Sequence, residues 1–130
     1  MFDWADFLGI AEALLVQSTA TEAAQRTAIS RAYYALFCAA GRYVDPDGVT
    51  IPRDGRAHRL VWESLESAAP SGVTRRIAQV RRRLKQRRER ADFDEVFPNL
   101  DIEAPHSIAL ARRLFRDVPE LKRSRSRFSP

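Results

Sequence analysis

The chain has 130 residues, a length that fits one domain, and its 45% hydrophobic share is ordinary for a globular protein with a core of its own. One cysteine, Cys38, excludes an intramolecular disulfide, and one Cys with two His excludes a zinc site of the usual four ligands, so no metal or cofactor is expected. The net charge of +5, carried almost wholly by arginine, points to an anionic partner.

No apolar run reaches the roughly 20 residues of a membrane span. The acids in Met1-Phe2-Asp3-Trp4-Ala5-Asp6 stand where a secretory leader needs positive charge. A soluble, cytoplasmic protein is the expectation.

Helical spacing dominates from the start. A first helix is predicted from about Trp4 to Gln17, because Trp4, Phe7, Leu8, Ala11, Leu14 and Leu15 form one apolar stripe and Asp3 can cap it. Thr19 and Glu22 have capping-box spacing for a second helix from about Glu22 to Tyr43. Its middle, Ala28 to Ala40, is apolar on nearly every face, which belongs at the centre of a bundle. Gly41 and Asp45-Pro46-Asp47-Gly48 end it, and a connector runs to Gly55. A third helix follows from Arg56 to Ala69, with Asp54 as a cap and Leu60, Val61, Leu65 and Ala68 inward. Pro70-Ser71-Gly72 reads as a turn.

The fourth helix is predicted from Val73 to Asp92, and a fifth from Pro105, a residue suited to a first helical position, to Val118. The basic segment Leu121 to Pro130 has no periodicity and reads as a disordered arm. The prediction is therefore an all-α, antiparallel four- to five-helix bundle over residues 1–118 with a basic tail over 119–130.

The fourth helix concentrates the charge. Between Arg75 and Arg90 nine basic side chains face one acid, Glu89. Like charges at helical spacing cost a few tenths of a kcal/mol per pair, so packing or a bound polyanion must offset them. Arg81, Arg82, Arg87 and Arg90 are the candidate phosphate contacts. Arg88 is different: it lies four residues beyond Leu84 and three before Ala91, on the apolar stripe, so it should turn toward the core or a cleft. It needs an acceptor there, and Asp92, one turn on, is the nearest. Two readings stand, an internal pair with Asp92 or a cleft arginine for phosphate. Tyr33, Tyr34, Phe37 and Trp62 sit at core spacing, though Tyr34 and Arg31 are placed to border a cleft.

Two segments resemble the HEPN family (higher eukaryotes and prokaryotes nucleotide-binding). Arg26-Thr27-Ala28-Ile29-Ser30-Arg31-Ala32-Tyr33-Tyr34-Ala35-Leu36-Phe37 is similar to its second-helix signature, an Ala-x-Ser-Arg-Ala-Tyr-Tyr-Ala-x-Phe run. Arg88-Glu89-Arg90-Ala91-Asp92-Phe93 is similar to an Arg-x-x-Ala-Asp-Tyr segment, with Phe93 in the tyrosine place, and His58 sits where many relatives have a histidine. The resemblance implies a helical bundle, often a homodimer with a cleft between protomers. It implies either an RNA-binding protein, including metal-independent endoribonucleases of defence and toxin–antitoxin systems, or a non-catalytic partner of a separately encoded nucleotidyltransferase. The active members' Arg-x(4–6)-His motif is missing at the fourth helix, where no histidine follows Arg88 within that window. Cleavage through a 2′-hydroxyl needs a group titrating near neutrality, and a carboxylate paired with a guanidinium is a weak base there. Arg88, Asp92 and His58 are accordingly the candidate catalytic residues. Arg53 to His58 does satisfy the spacing, but in the connector, where a capping or surface histidine is the alternative. His106, beside Pro105, is a weaker candidate.

Overall fold

The computed structural model describes residues 2–16, 20–68 and 71–118. These form five helices and no strand: α1 (Asp6–Leu15), α2 (Glu22–Val44), α3 (Ala57–Ala68), α4 (Ser71–Phe93) and α5 (Leu100–Asp117). The expected helix ends at Gln17 and Ala69, the Thr19 cap, Pro70 and the tail over 119–130 lie outside the described residues.

α2 is the hub, packing against all four other helices. Its alanines at 28, 32, 35, 39 and 40 are buried, as are Ile29, Tyr33 and Leu36, which leaves small residues where helices must approach closely. Thr21 caps it, its Oγ1 accepting from the Ala24 N–H at 3.1 Å. The core around it holds Leu8, Trp62, Leu65, Ile77, Leu84, Leu114 and Phe115. Cross-helix contacts fix the directions. Arg26 of α2 reaches Arg90 and Ala91 of α4, while Tyr34 meets Arg88, so α2 and α4 run antiparallel. Arg76 pairs with Asp117 and Arg87 with Glu103, so α4 and α5 do too.

α1 begins at Asp6 rather than Trp4, and Asp3 does not cap it: its Oδ1 accepts from the Ala5 N–H, and Ala5 holds the cap position without a side-chain bond. Two further boundaries differ from the sequence expectation. α4 begins at Ser71, so Ser71 and Gly72 are helical rather than a turn. The Thr74 hydroxyl donates to the Glu66 carbonyl at 2.8 Å and fastens this first turn to the end of α3. α5 begins at Leu100, and Pro105 lies inside it. The proline removes one ladder bond, a cost offset by burial. Leu100 and Ala104 join Ile29, Ala91 and Phe97 in a second small core, which draws the extra turn into the helix. Asn99, in the left-handed region at φ 59°, precedes it, and its carbonyl accepts from the Ile102 and Glu103 N–H groups.

Candidate nucleic-acid site

Leu84 and Ala91 are buried, and the helical steps between them turn Arg88 inward, leaving its side chain 13% exposed. The guanidinium is held from the α2 side. Its Nη2 donates to the Tyr34 hydroxyl at 2.6 Å, and Cζ lies 5.0 Å from the Tyr34 ring centre and 5.7 Å from that of Tyr33. Nε is buried and makes no hydrogen bond among the described residues. It stands 3.7 Å from Asp92 Oδ2, close enough for charge attraction and too far for a hydrogen bond. Asp92 itself is loosely held, with the Ser30 hydroxyl at 3.5 Å from the same oxygen.

Ser30, Arg31 and Asp92 line a shallow groove of about 430 Å³ between α2 and α4. Arg31 lies over the Tyr34 ring at 5.2 Å and the Phe7 ring at 5.5 Å. Arg26 forms the end of the groove and caps α4: its guanidinium donates to the carbonyls of Arg90, Ala91, Asp94 and Glu95. Cations at a helix C-terminus satisfy orphan carbonyls and suit the dipole. Sequence reasoning did not single out Arg26. The available signal was its spacing, since Arg26, Ser30 and Tyr34 follow one another at four-residue steps on one face of α2.

His58 lies on the far side of the tyrosines. Its Nδ1 is 2.6 Å from the Tyr33 hydroxyl, whose oxygen also accepts from Trp62 Nε1 at 3.2 Å. Burial pushes the Tyr33 phenol up to about 12, so it keeps its proton. Burial first, then Arg88 and Lys85, lower the His58 pKa, so the ring is neutral near pH 7. The Tyr33 O–H therefore donates to Nδ1, and the imidazole carries its proton on Nε2. The ring stacks on Phe37 at 4.1 Å and lines a separate cavity of about 650 Å³ with Phe37, Arg42 and Asp45. No hydrogen bond or ion pair joins His58 to Arg88 or Asp92 among the described residues.

The remaining expected contacts are dispersed around α4. Arg81 pairs with Glu66 of α3 at 3.0 Å, both 17% exposed. Arg87 pairs with Glu103 of α5 at 2.7 Å. Arg90 sits over Phe97 at 4.5 Å and reaches Asp94 at 3.4 Å. Arg82 is exposed. The structure thus brings Arg88, Asp92, Tyr34 and Arg31 together, keeps His58 one ring away, and sends Arg81, Arg82, Arg87 and Arg90 elsewhere. His106 is exposed on α5. Among the described residues no group of three or more His, Cys, Asp or Glu is placed to hold a metal ion, and no helix is long and apolar enough to cross a membrane.

Compared with family models, curated proteins and solved structures, the chain has no match. The HEPN resemblance accordingly rests on the residues of α2 and the end of α4.

Proposed function

We propose that this is an RNA-directed, HEPN-type protein of a bacterial defence or toxin–antitoxin system, and that an RNA phosphate enters the α2/α4 groove beside Arg88 and Arg31. The observation that carries this reading is the Arg88 Nε–H, buried without a hydrogen-bond partner. An unsatisfied buried donor costs about 1–3 kcal/mol, and a donor in that state is open to an acceptor that the fold itself does not supply. Its neighbour Asp92, held by one long hydrogen bond, lines the groove together with the cations Arg26 and Arg31, and Arg88 stands directly behind Asp92. The placement of His58 favours binding over cutting: it lines the other cavity and makes no hydrogen bond or ion pair with Arg88 or Asp92 among the described residues.

The test is purified protein with total RNA in EDTA, read for both retention and fragment length. The expected result is salt-sensitive retention, weakened about tenfold by Arg88→Ala as one charged contact is lost, with fragment lengths unchanged. Equal retention by wild type and Arg88→Ala would remove Arg88 from the interface. Cleavage abolished by both Arg88→Ala and His58→Ala would instead make the site a metal-independent endoribonuclease.

A second reading is a non-catalytic module that docks a separately encoded nucleotidyltransferase or another effector. Phe93, Val96 and Ile102 favour it, being 77, 73 and 63% exposed at the junction of α4 and α5, next to Asp92. A homodimer would cover the same edge and bring two grooves together. Sedimentation of wild type against Phe93→Glu separates these outcomes: a dimer that the variant splits supports the homodimer, and a monomer in both leaves the edge to a different polypeptide.

A further inference from the structure

On the other flank of α4, toward α5, lies a groove of about 710 Å³ that the site above does not use. Arg76, Arg82 and Arg83 of α4 and Arg113 and Arg116 of α5 line it, over a floor that includes the buried Val80 and Leu110. Elsewhere the chain pairs its arginines across helices, as in Arg81 with Glu66, Arg87 with Glu103 and Arg112 with Glu12. Here that habit stops. Arg82, Arg83 and Arg113 make no ion pair among the described residues, and Asp117, bonded to Arg76 and 4.0 Å from Arg116, is the acid that serves this groove. The dipole of α5 accounts for cations in its last turns, but Arg82 and Arg83 stand in the middle of α4, where no helix end favours a cation. Five guanidinium groups thus share one acid, and the three with no ion pair among the described residues, Arg82, Arg83 and Arg113, suit the groove to an external anion.

We propose that the α4/α5 groove is a second RNA-binding surface, one that grips the sugar–phosphate backbone without reading bases. This rests on the RNA reading above and extends it to the opposite side of α4. The lining contains no aromatic ring to serve as a base-stacking platform, and the part of the ligand that its arginines recognise first is charge. The apolar floor lowers the local dielectric beneath the guanidinium groups and strengthens their hold on phosphate oxygens. Arg76 and Arg83 sit two turns apart on one rim and Arg113 and Arg116 nearly one turn apart on the other, so an extended backbone can meet both rims as it crosses. His106, further along α5, reports the same field: after burial, the cations Arg87, Arg83 and Arg113 hold its pKa down. Counting along α4, the centre of this groove is roughly 13 Å from Arg88 at the helical rise per residue.

The experiment measures fluorescence anisotropy of a labelled oligouridylate with the full chain over a salt series, for wild type, the double variant Arg83→Gln/Arg113→Gln, the charge-matched control Arg56→Gln/Arg59→Gln at the start of α3, and Arg88→Ala. The groove predicts that the double variant lowers the slope of log affinity against log salt by roughly 1.4, two single-strand contacts at about 0.7 each, while the control leaves it unchanged. Equal losses in the double variant and the control overturn the groove in favour of unspecific charge. Loss in Arg88→Ala with none in the double variant overturns the groove and keeps the proposed function. Loss in the double variant with none in Arg88→Ala keeps the groove and overturns the role of Arg88. No binding by wild type overturns both. In wild type, the His106 pKa followed by NMR should rise when oligouridylate is added, because phosphate cancels the surrounding positive field; an unmoved value overturns the groove without relying on any variant.

Discussion

The flank of α4 that faces α2 and α3 and the flank that faces outward along α5 hold the same residue type in opposite states. On the first, Arg81 is locked to Glu66 and Arg88 is wedged under Tyr33 and Tyr34. On the second, Arg82 and Arg83 stand exposed without an ion pair among the described residues. One sequence run of basic residues therefore contains structural cations and available cations, and what separates them is an acid within reach: Arg76, Arg83 and Arg87 lie on one face of α4, yet Asp117 and Glu103 of α5 pair with the first and last and leave Arg83. Charge density alone says that α4 is cationic; the packing says which guanidinium groups are already spent on the fold.

The contrast is sharpest between Arg81 and Arg83. Arg81→Ala leaves Glu66 largely buried without its partner, so a loss of about 3 kcal/mol in urea unfolding is expected, whereas Arg83→Ala should stay within about 0.5 kcal/mol. Equal losses would erase the distinction between the flanks. Next in size is Arg26→Ala, which frees carbonyls at the end of α4 and should cost about 2 kcal/mol, with faster amide exchange confined first to the last turn of α4. Tyr33→Phe removes the hydroxyl that bridges His58 and Trp62 and should cost about 1–2 kcal/mol; a neutral result would mean that His58 has another partner.

The smallest expected effect is a pH dependence. His58 and His106 titrate in the fold below the 6.5 of an unperturbed imidazole, so on acidification the unfolded chain binds protons before the folded one does. Stability should be level above about pH 7.5 and fall as pH drops through about 6.5 toward the folded-state values. His58→Gln should flatten part of that fall, leaving the His106 share. Stability that rose on acidification through this range would reverse the assigned protonation of both rings.

Much of the bundle was legible from apolar spacing, because α2 and the stripes of α1, α3 and α5 repeat at helical intervals. The inward turn of Arg88 was legible for the same reason, from its place between Leu84 and Ala91. The start of α5 was not. Pro105 dominates its local sequence, while the burial of Leu100 and Ala104 against Ile29 and Phe97 is a tertiary fact. The acids that neutralise α4 were also invisible locally: Glu66, Glu103 and Asp117 come from the helices before and after it. Counting charges within the run gave one acid; Asp92 and Asp94 stand just past it, and the neighbouring helices supply Glu66, Glu103 and Asp117. The tie between Tyr33 and His58 joins residues from two helices whose crossing no spacing rule specifies.

On the proposed function the buried Arg88 Nε–H takes an RNA phosphate as its acceptor, and arginine side-chain NMR reads that proton directly. Titration of the full chain with a short RNA should move the Arg88 Nε–H resonance downfield as it gains an acceptor, while the Arg81 Nε–H, already bonded to Glu66, stays in place. A shift at Arg81, or saturation of binding with the Arg88 resonance unmoved, would contradict the account.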